Sequence, residues 1–206
     1  MIKTFAIAAL CLATSTAADA TGIKDALRTK PDSICQALSR NNILDMVDFK
    51  EANMKAEVAN RLGGKSEMTE LSDNYTRIKL SDNCTVEMKT FNSDGEEVIC
   101  VVQTYTAPEA QSTINFYDGK WQKRNFTLNE PGIEQLTAKP DTMQQETYDK
   151  LLNNIWPVMK KISLNPDNDN IDFSLSLPLI NDEEKSKTKC ILTQKSVKFT
   201  DVVLIK

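Results

Sequence analysis

The chain has 206 residues, a formal charge of −4 and no histidine. The missing imidazole excludes nucleophiles activated by histidine and zinc sites that contain it, and the mild acidity gives no electrostatic reason to bind nucleic acid or anionic lipid. With 40% apolar residues the chain is long enough to bury a core of its own.

Lys3, the apolar run from Phe5 to Ala13 and the small residues ending Ala18-Asp19-Ala20 have the three regions of a secretory signal peptide. Cleavage is expected after Ala20, and residues 1–20 are set aside as a leader. Its apolar run is too short for a hydrocarbon core that takes roughly 20 residues, and no other segment reads as a membrane span. Leu10 precedes Cys11 where a lipoprotein peptidase wants a small residue, which favours soluble export. Four cysteines then remain, Cys35, Cys84, Cys100 and Cys190, and permit two disulfides in three connectivities. Cys100, inside Val98-Ile99-Cys100-Val101-Val102, is equally served by a place in the core.

A phrase occurs twice, as Lys30-Pro31-Asp32-Ser33-Ile34-Cys35-Gln36 and as Lys139-Pro140-Asp141-Thr142-Met143-Gln144-Gln145. Ser33 and Thr142 each stand three residues before a Gln, the spacing of a reciprocal helix cap, so both copies predict helix starts and suggest an internal duplication. After the first copy, Ile34 and Leu38 mark a short helix, and Asn41 or Asn42 caps a second. Ile43, Met46, Val47 and Met54 give that second helix its apolar stripe, with Phe49 flanking it and Gly63-Gly64 ending the helical region.

From Ser66 the period falls to two. Met68 and Leu71, Ile78 and Leu80, and Val86 and Met88 mark strands separated by the turn tripeptides Ser72-Asp73-Asn74 and Ser81-Asp82-Asn83. Asp94-Gly95 separates the strand ending at Phe91 from Glu97–Tyr105, and Asp118-Gly119 separates Ile114–Tyr117 from Lys120–Gln122. The continuous apolar run 98–102 predicts a central strand covered on both faces. An even loop at Asp94-Gly95 puts Cys84 and Cys100 on opposite faces, where they cannot join. Pro131 and Leu136–Pro140 mark a junction. Beyond it Tyr148, Leu151, Leu152, Ile155 and Met159 lie at helical spacing, with Pro157 ending the helix. Ile162–Leu164, the alternating Ile171, Phe173, Leu175 and Leu177, then Cys190–Leu192 and Val197–Phe199 read as strands, and Asn181–Lys189 reads as a solvated loop.

The motif fragments do not assemble into chemistry. Gly64-Lys65-Ser66 resembles the end of a phosphate-binding loop, but Ala59 stands where the first glycine belongs. Ser186-Lys187-Thr188-Lys189 and Ser72-Asp73-Asn74 match elements of penicillin-recognising enzymes in reversed order and without a Lys-Thr-Gly. Asp167-Asn168-Asp169-Asn170 lacks the glycine and distal glutamate of a calcium loop and reads as a turn. The cysteines show no Cys-x-x-Cys spacing. No metal, cofactor or catalytic residue is therefore expected. Two-carboxylate chemistry survives, although the sequence singles out no pair.

Pro31-Asp32-Ser33, Arg40-Asn41-Asn42, Leu44–Phe49, Met54–Val58 and Leu62–Ser66 resemble a family of exported Bacteroidales proteins known only as a domain of unknown function. The likeness covers most of the mature chain and is strongest over residues 31–80. It implies the periplasm or the extracellular side of a Gram-negative envelope, and it carries no assigned activity. In that setting Asp32-Ser33-Ile34 and Asp141-Thr142-Met143 look like sites of O-glycosylation. The block from Met46 to Ser66 holds the most polar detail, and Asp45, Asp48, Lys55, Arg61 and Lys65 form the candidate interaction surface.

The expected fold is α+β, with helices packed on antiparallel meanders in two related halves, residues 21–128 and 129–206, able to share one core. The leading functional expectation is a non-enzymatic module that binds a protein or an envelope polymer. The alternatives are a two-carboxylate hydrolase of envelope polysaccharide and a carrier of apolar ligands.

Overall fold

The computed structural model describes residues 22–93, 95–177 and 181–204, so the expected leader and Asp94 lie outside the described residues. Two helices, α1 (Ile23–Thr29) and α2 (Arg40–Glu51), precede a seven-stranded antiparallel meander whose spatial order is its chain order. Its strands are β1 (Ala56–Ala59), β2 (Lys65–Leu71), β3 (Tyr75–Ser81), β4 (Cys84–Ser93), β5 (Glu96–Tyr105), β6 (Gln111–Asp118) and β7 (Lys123–Arg124). The chain continues through β8 (Thr127–Leu128), a 3-10 turn, α3 (Gln145–Asn153), β9 (Met159–Leu164), β10 (Asn170–Ser176), α4 (Asp182–Lys189), β11 (Lys195–Lys198), α5 (Phe199–Val202) and β12 (Val203–Leu204). Strands β9, β10 and β11 form a second antiparallel sheet, and β8 pairs with β12. Among the described residues no helix is long and apolar enough to cross a membrane.

The period of two in β3, β4 and β5 makes the meander the middle layer. Ile78, Val86, Met88, Ile99 and Val101 face α1 and α2, meeting Ile23, Leu27, Ile43, Met46 and Val47. Tyr75, Phe91, Val98, Cys100, Val102 and Phe116 face the other way and meet Ile162, Leu164, Ile171 and Phe173 of the small sheet. Residues on both sides of the 128/129 boundary therefore share one core. Phe199 stacks on Phe91 at 4.1 Å between ring centres, worth about 1 kcal/mol beyond the area it buries. On the helix side, buried Trp121 donates its indole N–H to the Ala26 carbonyl at 3.0 Å and pins α1 to the far end of the sheet.

Two buried charges stand two residues apart on the face of β4 that meets the small sheet. Glu87 accepts from the Tyr75 hydroxyl at 2.9 Å, from Arg77 Nε and Nη2 at 2.9 and 2.6 Å, and from the Leu164 backbone N–H at 3.1 Å. Lys89 donates to the carbonyls of Asn165 and Asn168, both at 2.7 Å. Burial lowers the Lys89 ammonium from its ordinary value, and Asp169 and Asp167 partly restore it. Together these side chains hold the end of β9 and the turn that follows. The turn at 165–169 is the one expected at the Asp/Asn run, and Lys89 occupies its inward carbonyls.

Several expectations are corrected. The first Lys-Pro-Asp phrase starts no helix, because residues 31–39 form turns and the capping box belongs to Ser39 and Asn42, at the start of α2. In the second copy a helix does follow, but it begins at Gln145 after an N-cap, Gln144, that makes no side-chain bond. What the copies share is a hooked turn. Ile34 N–H bonds Pro31 O and Met143 N–H bonds Pro140 O, while Lys30 and Lys139 donate to the carbonyls of Ile34 and Met143. Seven strands against three leave the expected internal duplication without support in strand number.

Helix α2 ends at Glu51 because Asn53 takes a left-handed conformation (φ 55°), with Met54 N–H on Phe49 O and Asn53 N–H on Lys50 O. Met54 therefore leaves the apolar stripe and is exposed. Gly63-Gly64 closes the β1–β2 hairpin and ends no helix. The turn at Asp118-Gly119 is longer than a two-residue hairpin. Asp118 accepts from the N–H groups of Lys120 and Gln122, so β7 starts only at Lys123. Asn181–Lys189 is largely a helix, with Asn181 capping Glu184 N–H, acids in its first turn, lysines in its last and a Glu183–Lys187 pair. Its apolar pattern is too sparse to announce it. Cys190–Leu192 is a turn with one bridge from Leu192 to Thr137, and Phe199 opens α5.

Glu87→Ala leaves the Tyr75 hydroxyl, the Arg77 guanidinium and the Leu164 N–H without their common acceptor. Urea unfolding is expected to show a loss of about 2–4 kcal/mol, because two buried donors, the Tyr75 hydroxyl and the Leu164 N–H, lose their acceptor at about 1–3 kcal/mol each, while the part-exposed Arg77 keeps Glu70. A loss below about 1 kcal/mol would remove Glu87 from its place in the architecture.

Candidate functional site

Three segments meet at one end of the meander. The β1–β2 hairpin closes over residues 60–64, where Asn60 accepts from the N–H groups of Leu62 and Gly64 and donates to Ser66 Oγ and to the Leu80 carbonyl. Gly63 sits at φ 80°, a region that favours glycine, and the turn leaves Leu62 at the tip with 78% of its surface exposed. The loop 31–39 lies alongside, joined by Arg61 N–H to the Ala37 carbonyl at 2.9 Å and by Arg61 Nη2 to Asp32 Oδ2 at 2.6 Å. The third segment is the turn and strand ends around Leu80, Cys84, Gln103 and Tyr105. Between them opens a groove of about 650 Å³, lined by Cys35, Ala37, Leu62, Leu80, Cys84 and Tyr105 with Ser33, Gln36, Asn83 and Gln103 among its polar residues.

Of the exposed large apolar side chains among the described residues, Met54, Leu62, Tyr105 and Trp156, two converge on this groove. Gln103 Nε2 donates to the Tyr105 hydroxyl at 2.6 Å and to Cys84 Sγ at 3.4 Å, so the floor is held by side chains from two strands. Ser33, in the first hooked turn, and Thr142, in the second, are both exposed.

The five residues singled out from sequence fall in two places. Asp45 and Asp48 lie exposed on α2, and neither lines the groove. Lys55 and Lys65 share Glu57, at 2.7 and 2.6 Å, and Lys65 lines a smaller depression of about 460 Å³ that also contains Leu62 and Asp82. Arg61 is the residue of the five that braces the groove, through Asp32 and Ala37. The two lysines pull the Glu57 carboxyl down to about 2, and the Arg61 hydrogen bond lowers Asp32. Cys35, Leu80, Cys84, Gln103 and Tyr105 escaped sequence reasoning because they come from distant segments. The legible signal was Leu62, an apolar residue beside two glycines.

The most buried carboxylate, Glu87, is committed elsewhere. It shares Arg77 with Glu70, whose Oε1 lies 2.7 Å from Nη1, and the guanidinium fills the space between the two acids. Among the described residues no group of three or more histidine, cysteine, aspartate or glutamate side chains is placed to hold a metal ion.

These layers and this groove define an α+β protein whose antiparallel meander is sandwiched between helices and a smaller sheet. A domain of an uncharacterized protein from Porphyromonas gingivalis W83 has a similar fold, with a TM-score of 0.71 at 22% identity over 89% of this chain and 98% of that one. The comparison with curated proteins gives no match. The chain belongs to the DUF3256 family, proteins of unknown function, whose model matches residues 15–201.

The Glu57 pair gives a direct electrostatic check. Because the folded carboxyl is depressed, its contribution to stability is present above the ordinary value of 4.5 and is lost as pH falls through about 2. Carboxyl carbon NMR titration is expected to show Glu57 ionised to about pH 2, and Lys65→Ala is expected to move the midpoint upward. A midpoint near 4.5 in the parent would mean that the lysines do not engage it in solution.

Proposed function

We propose that this protein is an exported, non-enzymatic binding module that grips a protein segment in the groove between the β1–β2 hairpin and the loop 31–39. The observation that carries this reading is the convergence of exposed Leu62 and Tyr105 on one concavity braced by the Arg61–Asp32 pair. An aromatic and an aliphatic anchor in a pocket with a polar and charged surround are the usual makings of a binding hot spot. Gln36, Asn83 and Gln103 supply side-chain amides that can pair with peptide groups. The reading of export rests on residues 1–20 and sets the partner in the envelope or outside the cell.

The test uses the full chain as bait on isolated cell envelopes after mild cross-linking, beside a Leu62→Asp/Tyr105→Ser variant and an Asp45→Asn/Asp48→Asn variant. The captured partner is then purified and its affinity for each bait measured. The groove variant is expected to bind it about 30-fold more weakly, the loss of roughly 2 kcal/mol that one hot spot carries, and the α2 variant to bind like the parent. Equal binding by the parent and the groove variant, with loss in the α2 variant, would move the interface to the helix.

A further inference from the structure

We propose that Cys35 and Cys84 are a redox pair that closes to a disulfide across the groove. Both line the groove and both pack against the helix-side core. The other two thiols of the described residues lie elsewhere: Cys100 is buried in the opposite core and Cys190 is exposed just after α4. The register explains the division. Cys84 stands opposite Tyr105 and Cys100 opposite Lys89, so the first shares a face with Val86 and Met88 and the second with Phe91.

The chain holds Cys35 in place at a cost. It has φ 62°, a left-handed conformation that non-glycine residues adopt only where their surroundings dictate it. Those surroundings are the Lys30 ammonium on the Ile34 carbonyl, Leu38 N–H on the Cys35 carbonyl and Arg61 N–H on the Ala37 carbonyl. Opposite, the Gln103 amide donates to Cys84 Sγ. Burial pushes the Cys35 thiol up to about 11, with the Lys30 charge opposing and Cys84 adding to the rise, so the two sulfurs lie within electrostatic reach of each other.

The step is thiol–disulfide exchange with a disulfide donor. The Cys84 thiolate attacks one donor sulfur, the donor S–S bond breaks and one donor thiol leaves. Deprotonated Cys35 then attacks Cys84 Sγ, the mixed disulfide breaks and the second donor thiol leaves. Two protein thiols lose two electrons and two protons, and the donor disulfide gains them. Because burial raises the Cys35 thiol, this second attack is the slow step at neutral pH and quickens as pH rises toward about 11. The bond joins residues 49 positions apart in the sequence and fixes the loop 31–39 on the sheet.

The sequence makes the test simple, because trypsin places all five cysteines on separate peptides, with Cys35 on Thr29–Arg40 and Cys84 on Leu80–Lys89. The folded full chain is incubated with oxidised glutathione, its remaining thiols are alkylated, and it is digested without reduction. The expected product is Thr29–Arg40 linked to Leu80–Lys89, which reduction separates, with two of the five thiols lost from the alkylation count. In Cys35→Ser the Leu80–Lys89 peptide is expected to carry glutathione instead. Alkylation of both Cys35 and Cys84 in the oxidised parent, a stable glutathione adduct on each without a link, or a bridge from either to Cys190 would overturn the proposal.

Discussion

The fold depends on Glu87 and Lys89 being buried together on one face of β4. Each charge alone would cost several kcal/mol to take out of water, and even as a set they bring no assured gain over apolar residues of the same size. What they provide is position. Glu87 accepts one named backbone N–H, that of Leu164, and Lys89 donates to two named carbonyls, those of Asn165 and Asn168. A sliding small sheet would strand both charges at once, so the apolar contacts of Phe173 and Leu164 form in one register. Ser112 adds a third fixing point, with its hydroxyl accepting from Ile162 N–H at 2.9 Å.

Much of the meander was legible because its cause is local. Alternating apolar residues and turn tripeptides of Ser, Asp and Asn fix β2 to β4, and the apolar run 98–102 announced a strand covered on both faces, which is what β5 is. The errors fell where non-local or electrostatic causes govern. Ser33 has the spacing of a cap, yet the chain turns there instead, with Ile34 N–H on Pro31 O and the Lys30 ammonium on the Ile34 carbonyl, and the cap passes to Ser39. Helix α4 is held by charge placement at its ends, to which a search for apolar periodicity is blind.

The groove was far less legible than the sheet. Of the polar block singled out in the sequence, Arg61 braces the groove, while most of its charges neutralise one another across Glu57 and Asp32. The residues that shape the concavity are separated by up to 72 positions, from Ser33 to Tyr105, and only the folded register brings them together. Asp45 and Asp48 show the reverse case, residues conspicuous in sequence that face solvent.

The two tryptophans of the chain report on different layers without any label. Trp121 is 6% exposed beneath α1 with its indole hydrogen-bonded, whereas Trp156 is 77% exposed beyond the end of α3. The native fluorescence spectrum should therefore be a sum of a blue-shifted, shielded emitter and a red-shifted one open to quenchers. Light from the shielded component follows the docking of the first helix on the sheet, so undocking of that helix can be watched separately from events around Trp156.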